Sequence, residues 1–446
     1  MRTPRPNDEA FPHLGGACRA DGAGRLRGIQ ERAQEDADRG QPRADPGFGN
    51  GVEADKTIAD VQVLLPAPEA NPEWSQPGGN AAKSMGQLAL AEQPQRLWSA
   101  TINGGSARDP LGAAPVVAEG KLFVVDVEGN LVAMNADTGA RLWSTGITEG
   151  DANRLARFGG GASYDSGTVF ASDGLGDVIA ASAADGKVLW RAKPSGPLRG
   201  SPTIANGNVY VLTQDNQLYA INQTDGKIVW AGQGTLETQG VYGVAAPSAS
   251  QGTVVAGFSS GELNAYRYEN GRLLWQDALS RTSISTSVST LSDIDAAPVI
   301  DQGRVYALGQ GGRMVALELS TGQRLWEQNF AGLSTPWIAG EWIFLVTDDA
   351  RLVALARSSG KARWIAQLQR FHKEKKKTGA ITWFGPVLAG NRLILTNSEG
   401  QIVYANPGDG SVQATVDTKT PFALPPIVAN NVLYVLDQKG RIAAYK

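Results

Sequence analysis

Six tryptophans of this chain, Trp143, Trp190, Trp230, Trp275, Trp326 and Trp364, each stand four residues after a glycine. Ten residues before that glycine comes another small or turn-forming residue: Gly129, Gly176, Asn216, Gly261, Gly312 and Ala350. A seventh copy keeps both glycines, Gly400 and Gly410, but carries Ala414 in the tryptophan position. An eighth begins at Gly440 and stops at Lys446, and its missing tail stands at the other end of the repeats as Arg96, Leu97 and Trp98. Such a permutation closes a ring, because one unit is completed by both ends of the chain and no sheet edge is left at a terminus. The spacing of successive tryptophans runs from 38 residues (Trp326 to Trp364) to 51 (Trp275 to Trp326), close to the ~40–45 of a four-stranded propeller blade.

Each repeat reads as four short strands. A small residue and a proline (Ala114 and Pro115, Ser201 and Pro202, Ala297 and Pro298) open the first, and a turn glycine (Gly120, Gly207, Gly303) leads to an alternating second. The third carries an alanine: Ala133, Ala180, Ala220, Ala265, Ala316, Ala354 or Ala444. A glycine turn, where positive φ favours that residue, then leads into the tryptophan strand. The expected fold is all-β: an eight-bladed propeller of four-stranded antiparallel blades, the last closed by the N-terminal strand. The small alanine lets blades approach and the tryptophan fills the wedge between them.

The expected organisation is a disordered or mis-read segment over residues 1–54, an extended arm over 55–92 and the propeller over 93–446. Residues 1–50 hold eight arginines and eight acidic residues but no lysine or tryptophan, a composition that cannot bury a core. Asn71, Trp74, Gly78 and Gly79 mark the arm. A net charge of −3, from 41 basic and 44 acidic residues, gives no basic bias towards nucleic acid. One cysteine (Cys18) and two histidines (His13, His372) leave no basis for an intrachain disulfide and little for a His/Cys metal cage or a Ser-His-Asp triad. No catalytic residue, metal site or cofactor is expected.

The pattern Ala133-x-Asn135-x-x-Thr138-Gly139-x-x-x-Trp143 resembles the PQQ-like repeat propellers. Within that group, the chain from about residue 55 onward is similar to the BamB family, lipoproteins of the outer-membrane β-barrel assembly machinery. The most specific stretch is Leu291, Asp293, Asp295 and Pro298, followed by Gly303 and Tyr306. The resemblance implies a non-enzymatic scaffold at the periplasmic face of the outer membrane. It would bind the POTRA domains of the insertase BamA, join other assembly-complex subunits and meet unfolded β-barrel clients. The family's two loop aspartates fall on Asp293 and Asp295. Its Leu-x-Leu-Arg contact in the preceding blade is not matched, since Gln239, Val241 and Tyr242 stand there; Leu198 and Arg199 lie one blade too early. The expected partner-binding residues are therefore Leu291, Asp293, Asp295, Val241 and Tyr242, with Tyr242 as aromatic anchor. The family's lipid anchor is not visible: Leu14 to Cys18 ends in a lipobox-like cysteine but no apolar stretch precedes it.

Two rival functions fit the same repeat. A quinoprotein dehydrogenase would hold PQQ over calcium near the ring axis, but no clustered acidic and amide set marks such a site. A generic peptide-binding propeller would lack the Leu291–Asp295 feature. At residue level, the tryptophans of fixed register (Trp98, Trp143, Trp190, Trp230, Trp275, Trp326 and Trp364) are packing elements rather than a stacking platform. Asp293 and Asp295, two apart on extended chain, point to one side and either face a partner or cap a turn. The basic run from Phe371 to Lys377 is expected as a solvated loop or a contact for an anionic partner, with His372 a bystander. Residues 281–290 read as a polar inter-blade insertion, and any outermost strand could accept an added strand.

Overall fold

Short alternating strands between glycine turns bury one row of side chains against each neighbouring sheet, and in the computed structural model they stack into a closed ring. The structure describes residues 52–106, 108–150, 157–198, 200–236, 245–279 and 293–446, all within one compact unit, Gly51–Lys446. Among these residues are eight four-stranded antiparallel sheets and one two-stranded hairpin. The first blade comprises Val116–Ala118, Lys121–Val125, Asn130–Asn135 and Arg141–Gly146 in spatial order. Six more follow over residues 161–192, 203–233, 248–278, 299–328, 337–367 and 383–417. The eighth takes Ile427–Ala429, Val432–Leu436 and Arg441–Tyr445 from the C-terminus and Arg96–Thr101 from the other end of the ring, with Trp98 opposite Ala444. The two ends of the repeat region pair as a strand continuation: the Gln95 amide donates to the Lys446 carbonyl at 2.7 Å and the Lys446 amide to that of Gln95 at 2.9 Å.

The repeat alanine and the repeat tryptophan are cross-strand partners. Ala133 faces Trp143, Ala220 faces Trp230 and Ala354 faces Trp364, and in each pair the register shifts just after the alanine. Each indole N–H donates to a backbone carbonyl of the next blade: Trp98 to Ala136 at 3.0 Å, Trp275 to Leu319 at 2.7 Å, Trp364 to Pro407 at 2.9 Å. Each indole ring also lies on the turn glycine of that next blade. A Cβ on Gly360 would fall 2.6 Å from Trp326 and one on Gly410 2.5 Å from Trp364. The glycine thus answers two demands, positive φ within its own blade and contact with the indole of the preceding one.

The seventh blade inverts the pair, setting Tyr404 opposite Ala414. The eighth blade has no such turn, because its last two strands, Arg441–Tyr445 and Arg96–Thr101, come from opposite ends of the repeat region. No glycine is there to receive an indole. The bulk sits instead on the third strand, where Tyr404 is 4 % exposed and lies under the Arg392 guanidinium, 4.7 Å from its ring centre.

The arm crosses the hub of the ring. At the rim of the sixth blade the Asp55 amide donates to the Ala362 carbonyl on the outermost strand (2.7 Å), covering that edge. Residues 71–88 then touch the innermost strand of every blade in turn. Asn71 Nδ2 donates to Val428 O in the eighth blade (2.6 Å), and Trp74 exchanges both backbone bonds with Val117 in the first. The Tyr164 amide of the second blade donates to Ser75 O. Gln76 binds Ile204 of the third through its side chain, Nε2 to O at 3.0 Å and Oε1 from N at 2.9 Å. Ala81 and Ala82 accept from Ala249 and Ile300 in the fourth and fifth. Trp337 Nε1 of the sixth donates to Gly86 O at 2.7 Å, and Leu88 bonds Leu388 and Gly390 of the seventh.

Candidate partner-binding face

Each blade is joined to the next by a connection from its outermost strand to the innermost strand of its neighbour. The expected contact residues belong to two neighbouring connections. Val241 and Tyr242 lie between the third and fourth blades, and Leu291, Asp293 and Asp295 between the fourth and fifth. Val241, Tyr242, Gln239, Leu291, Arg199 and the 281–290 stretch fall outside the described residues, as do Cys18 and His13. The flanks of both connections are described, and they converge: Ala245 and Ala246 from one, Asp295 and Ala297 from the other, line the same central channel.

Asp293 and Asp295 are both buried within the chain, 1 % and 5 % exposed. Gln310 binds the pair from the fifth blade, its amide N–H donating to Asp293 O and its side-chain Nε2 to Asp295 Oδ2, both at 2.9 Å. Ile294 between them is wholly buried and fills the space beside Gly257, where a Cβ would meet it at 2.4 Å. The segment is thus anchored by an apolar plug and a glutamine clamp, which fixes its course beside the channel.

The basic run differs from the loop expected of it. Phe371–Lys373 and Thr378–Ala380 pair as a short antiparallel hairpin in the connection between the sixth and seventh blades. The Glu374 carboxylate accepts the Arg370 and Phe371 amides and so closes the turn, while Lys375, Lys376 and Lys377 are exposed. The lysines are thus solvated, as expected, on a hairpin whose turn is closed by local hydrogen bonds. His372 Nδ1 lies 2.8 Å from Glu399 at the surface.

The channel itself was not foreseen. Its volume is about 380 Å³, and its walls are the small and apolar residues that lead into the innermost strands, among them Leu111, Ala246, Phe384 and Leu424. The arm forms its floor through Trp74, Pro77, Gly78 and Lys83, with Trp74 stacked on Trp337 at 6.0 Å and 17°. Lys83 and Asp295 are the charged residues among those lining it. Lys83 is 2 % exposed, and burial pushes its ammonium down to about 7. A single lysine inside a run of small residues, Ala81, Ala82, Lys83, Ser84, was the one sequence signal available. Among the described residues no group of three or more His, Cys, Asp or Glu is placed to hold a metal ion.

A family model described as "Outer membrane protein assembly factor BamB" matches residues 84–155 and 150–366. The chain belongs to this family. A BamB of Yersinia pestis, an outer membrane protein assembly factor, is 29 % identical over 358 residues, covering 79 % of this chain and 88 % of the relative. The crystal structure of BamB from Moraxella catarrhalis superposes with a TM-score of 0.65 at 18 % identity, over 79 % of this chain and 99 % of that one. A quinohemoprotein alcohol dehydrogenase from Comamonas testosteroni superposes almost as well, with a TM-score of 0.64 at 13 % identity over 84 % and 80 % of the two chains. The ring shape is therefore common to BamB and to quinoprotein enzymes, and the family match, not the shape, separates them.

Proposed function

We propose that this protein is a non-catalytic scaffold of outer-membrane β-barrel assembly, acting at the periplasmic face of the outer membrane. It binds the POTRA domains of a BamA-type insertase, alongside other assembly subunits and unfolded barrel clients, and is held at the membrane by a lipid anchor. The observation that carries this reading is the BamB family match over residues 84–366. The face chosen is that of Leu291, Asp293 and Asp295 with Val241 and Tyr242; it is supported by the described flanks of these two connections, Ala245 and Ala246 with Asp295 and Ala297, which line one channel. The non-enzymatic part is supported by the relatives, which carry the name of outer membrane protein assembly factors.

The test is a pull-down of the full chain with the POTRA domains of the same organism's insertase, beside Tyr242→Ala and Leu291→Ala variants. Capture by the parent and loss in the variants is expected. A folded parent that captures no POTRA domain overturns the partner, and capture that survives both substitutions overturns the face.

A further inference from the structure

The central channel holds a cation with little to satisfy it. Lys83 sits in the arm at the channel floor, 2 % exposed, and among the described residues the hydrogen bond of its Nζ is to Thr203 Oγ1 at 3.1 Å. An ammonium carries three donors. Thr203 offers only an oxygen, because its own hydroxyl proton goes to the Pro247 carbonyl at 2.6 Å. Desolvation is the whole cause of the shift at Lys83, with no carboxylate contributing. Buried charges are ordinarily paired, since removing an ion from water costs several kcal/mol. The other charged side chain lining the channel, Asp295, is engaged by Gln310.

The fold spends structure on this arrangement. Lys83 is held in a left-handed backbone conformation (φ 63°), uncommon for a residue with a side chain. Gly78 packs against its stem: a Cβ there would meet Lys83 Cδ at 2.9 Å. The channel that Lys83 lines has mostly apolar walls, with Ser201, Ser334 and Thr335 among them. A volume of about 380 Å³ lies at the small end of ligand pockets, and at roughly 30 Å³ per water-sized group it takes about a dozen heavy atoms.

We propose that the channel is a binding site for an aliphatic carboxylate of medium chain length, its headgroup paired with Lys83 on the arm and its hydrocarbon tail along the apolar walls. The carboxylate supplies the missing acceptors and charge, and the tail replaces water along the aliphatic and proline part of the walls. The arm, by carrying the one cation of the site, makes binding depend on the plug being seated. This site is independent of the POTRA-binding reading and survives its failure.

Decanoate, with a dozen heavy atoms, is the probe, and decanol is its neutral counterpart. Calorimetric titration of the full chain is expected to show saturable one-to-one binding of decanoate, with decanol at least tenfold weaker. Lys83→Met keeps the stem and removes the charge, and is expected to weaken decanoate at least tenfold while leaving decanol unchanged. Absence of decanoate binding overturns the proposal. So does decanol binding as tightly as decanoate, a comparison made on the unmodified chain and therefore decisive even if Lys83→Met does not fold. Undiminished decanoate binding to a folded Lys83→Met overturns the assigned headgroup site.

Discussion

Trp98 lies on Gly139 of the neighbouring blade. A Cβ built on Gly139 would fall 2.5 Å from Cε3 of Trp98, and the indole N–H donates to Ala136 O at 3.0 Å in the same turn. This joint recurs through seven blades and ties each outermost strand to the next sheet.

Gly120 supplies a control for it. Gly120 and Gly139 have nearly the same φ, 69° and 71°, yet nothing lies within 4 Å of a Cβ at Gly120. Gly120→Ala is expected to cost only the left-handed backbone term, about 1–2 kcal/mol. Gly139→Ala adds overpacking against the indole, a further ~1–3 kcal/mol. Denaturant unfolding of both variants checks this, and equal losses would show that the indole does not constrain the turn.

The arm should be measurable through one side chain. Gln76 is 7 % exposed and satisfies both backbone groups of Ile204. Gln76→Ala leaves that N–H and C=O without their partner, at about 1–3 kcal/mol for each buried group. A midpoint unchanged from the parent would mean that the plug contributes nothing to the stability of the ring.

Lys83 makes a pH prediction with a definite sign. Its ordinary value near 10.5 is lowered to about 7 in the folded chain. Between these two values the unfolded chain binds the proton more readily than the folded one, so stability rises with pH across that window. Below about 7 the buried charge is a full penalty. The difference in melting temperature, parent minus Lys83→Met, is therefore expected to increase steadily from pH 6 to pH 10. A flat difference would mean that the amine titrates as it does in water.

In the seventh blade, restoring the repeat pair should not help. Tyr404→Ala with Ala414→Trp recreates the alanine and tryptophan of the other blades, but the eighth blade has no glycine turn between its last two strands to receive the indole. Loss of the buried Tyr404 ring costs about 3–5 kcal/mol, the range for large aromatic truncations. The double variant is expected to melt below the parent, and a rise in melting temperature would reject this account of the inverted pair.

Charge reversal at Asp293 and Asp295 is expected to unfold the segment rather than merely repel a partner. Both carboxylates are buried beside Ile294, and two guanidinium groups cannot be accommodated there at less than several kcal/mol. Asp293→Asn with Asp295→Asn keeps the shape and is the pair for binding assays. Thermal melts of the two double variants decide this: an arginine pair as stable as the parent would show that the aspartates do not hold the segment.

The propeller, its blade number and the splice at Trp98 are legible in the sequence because they follow from a repeated local pattern. Glycine turns, strand alternation and one tryptophan per unit act over a few residues and are the same in every copy. What the alanine and the tryptophan do is only half visible this way, since their pairing across strands and the indole bond to the next blade are contacts between residues about 40 positions apart. An arm before the ring was legible, marked by Asn71, Trp74, Gly78 and Gly79, but its path across the hub was not. Residues 71–88 have no repeat of their own, and each gains its role from a different blade: Gln76 from Ile204 at 128 residues' distance, Trp337 from Gly86 at 251, Asn71 from Val428 at 357. Likewise Asp293 and Asp295 read as a pair of acids on an extended segment, and only the packing of Ile294 beside Gly257 decides that they are buried. Local rules set the ring; closing it created the channel, its lysine floor and the burial of its wall, because those are properties of eight sheets brought round one axis.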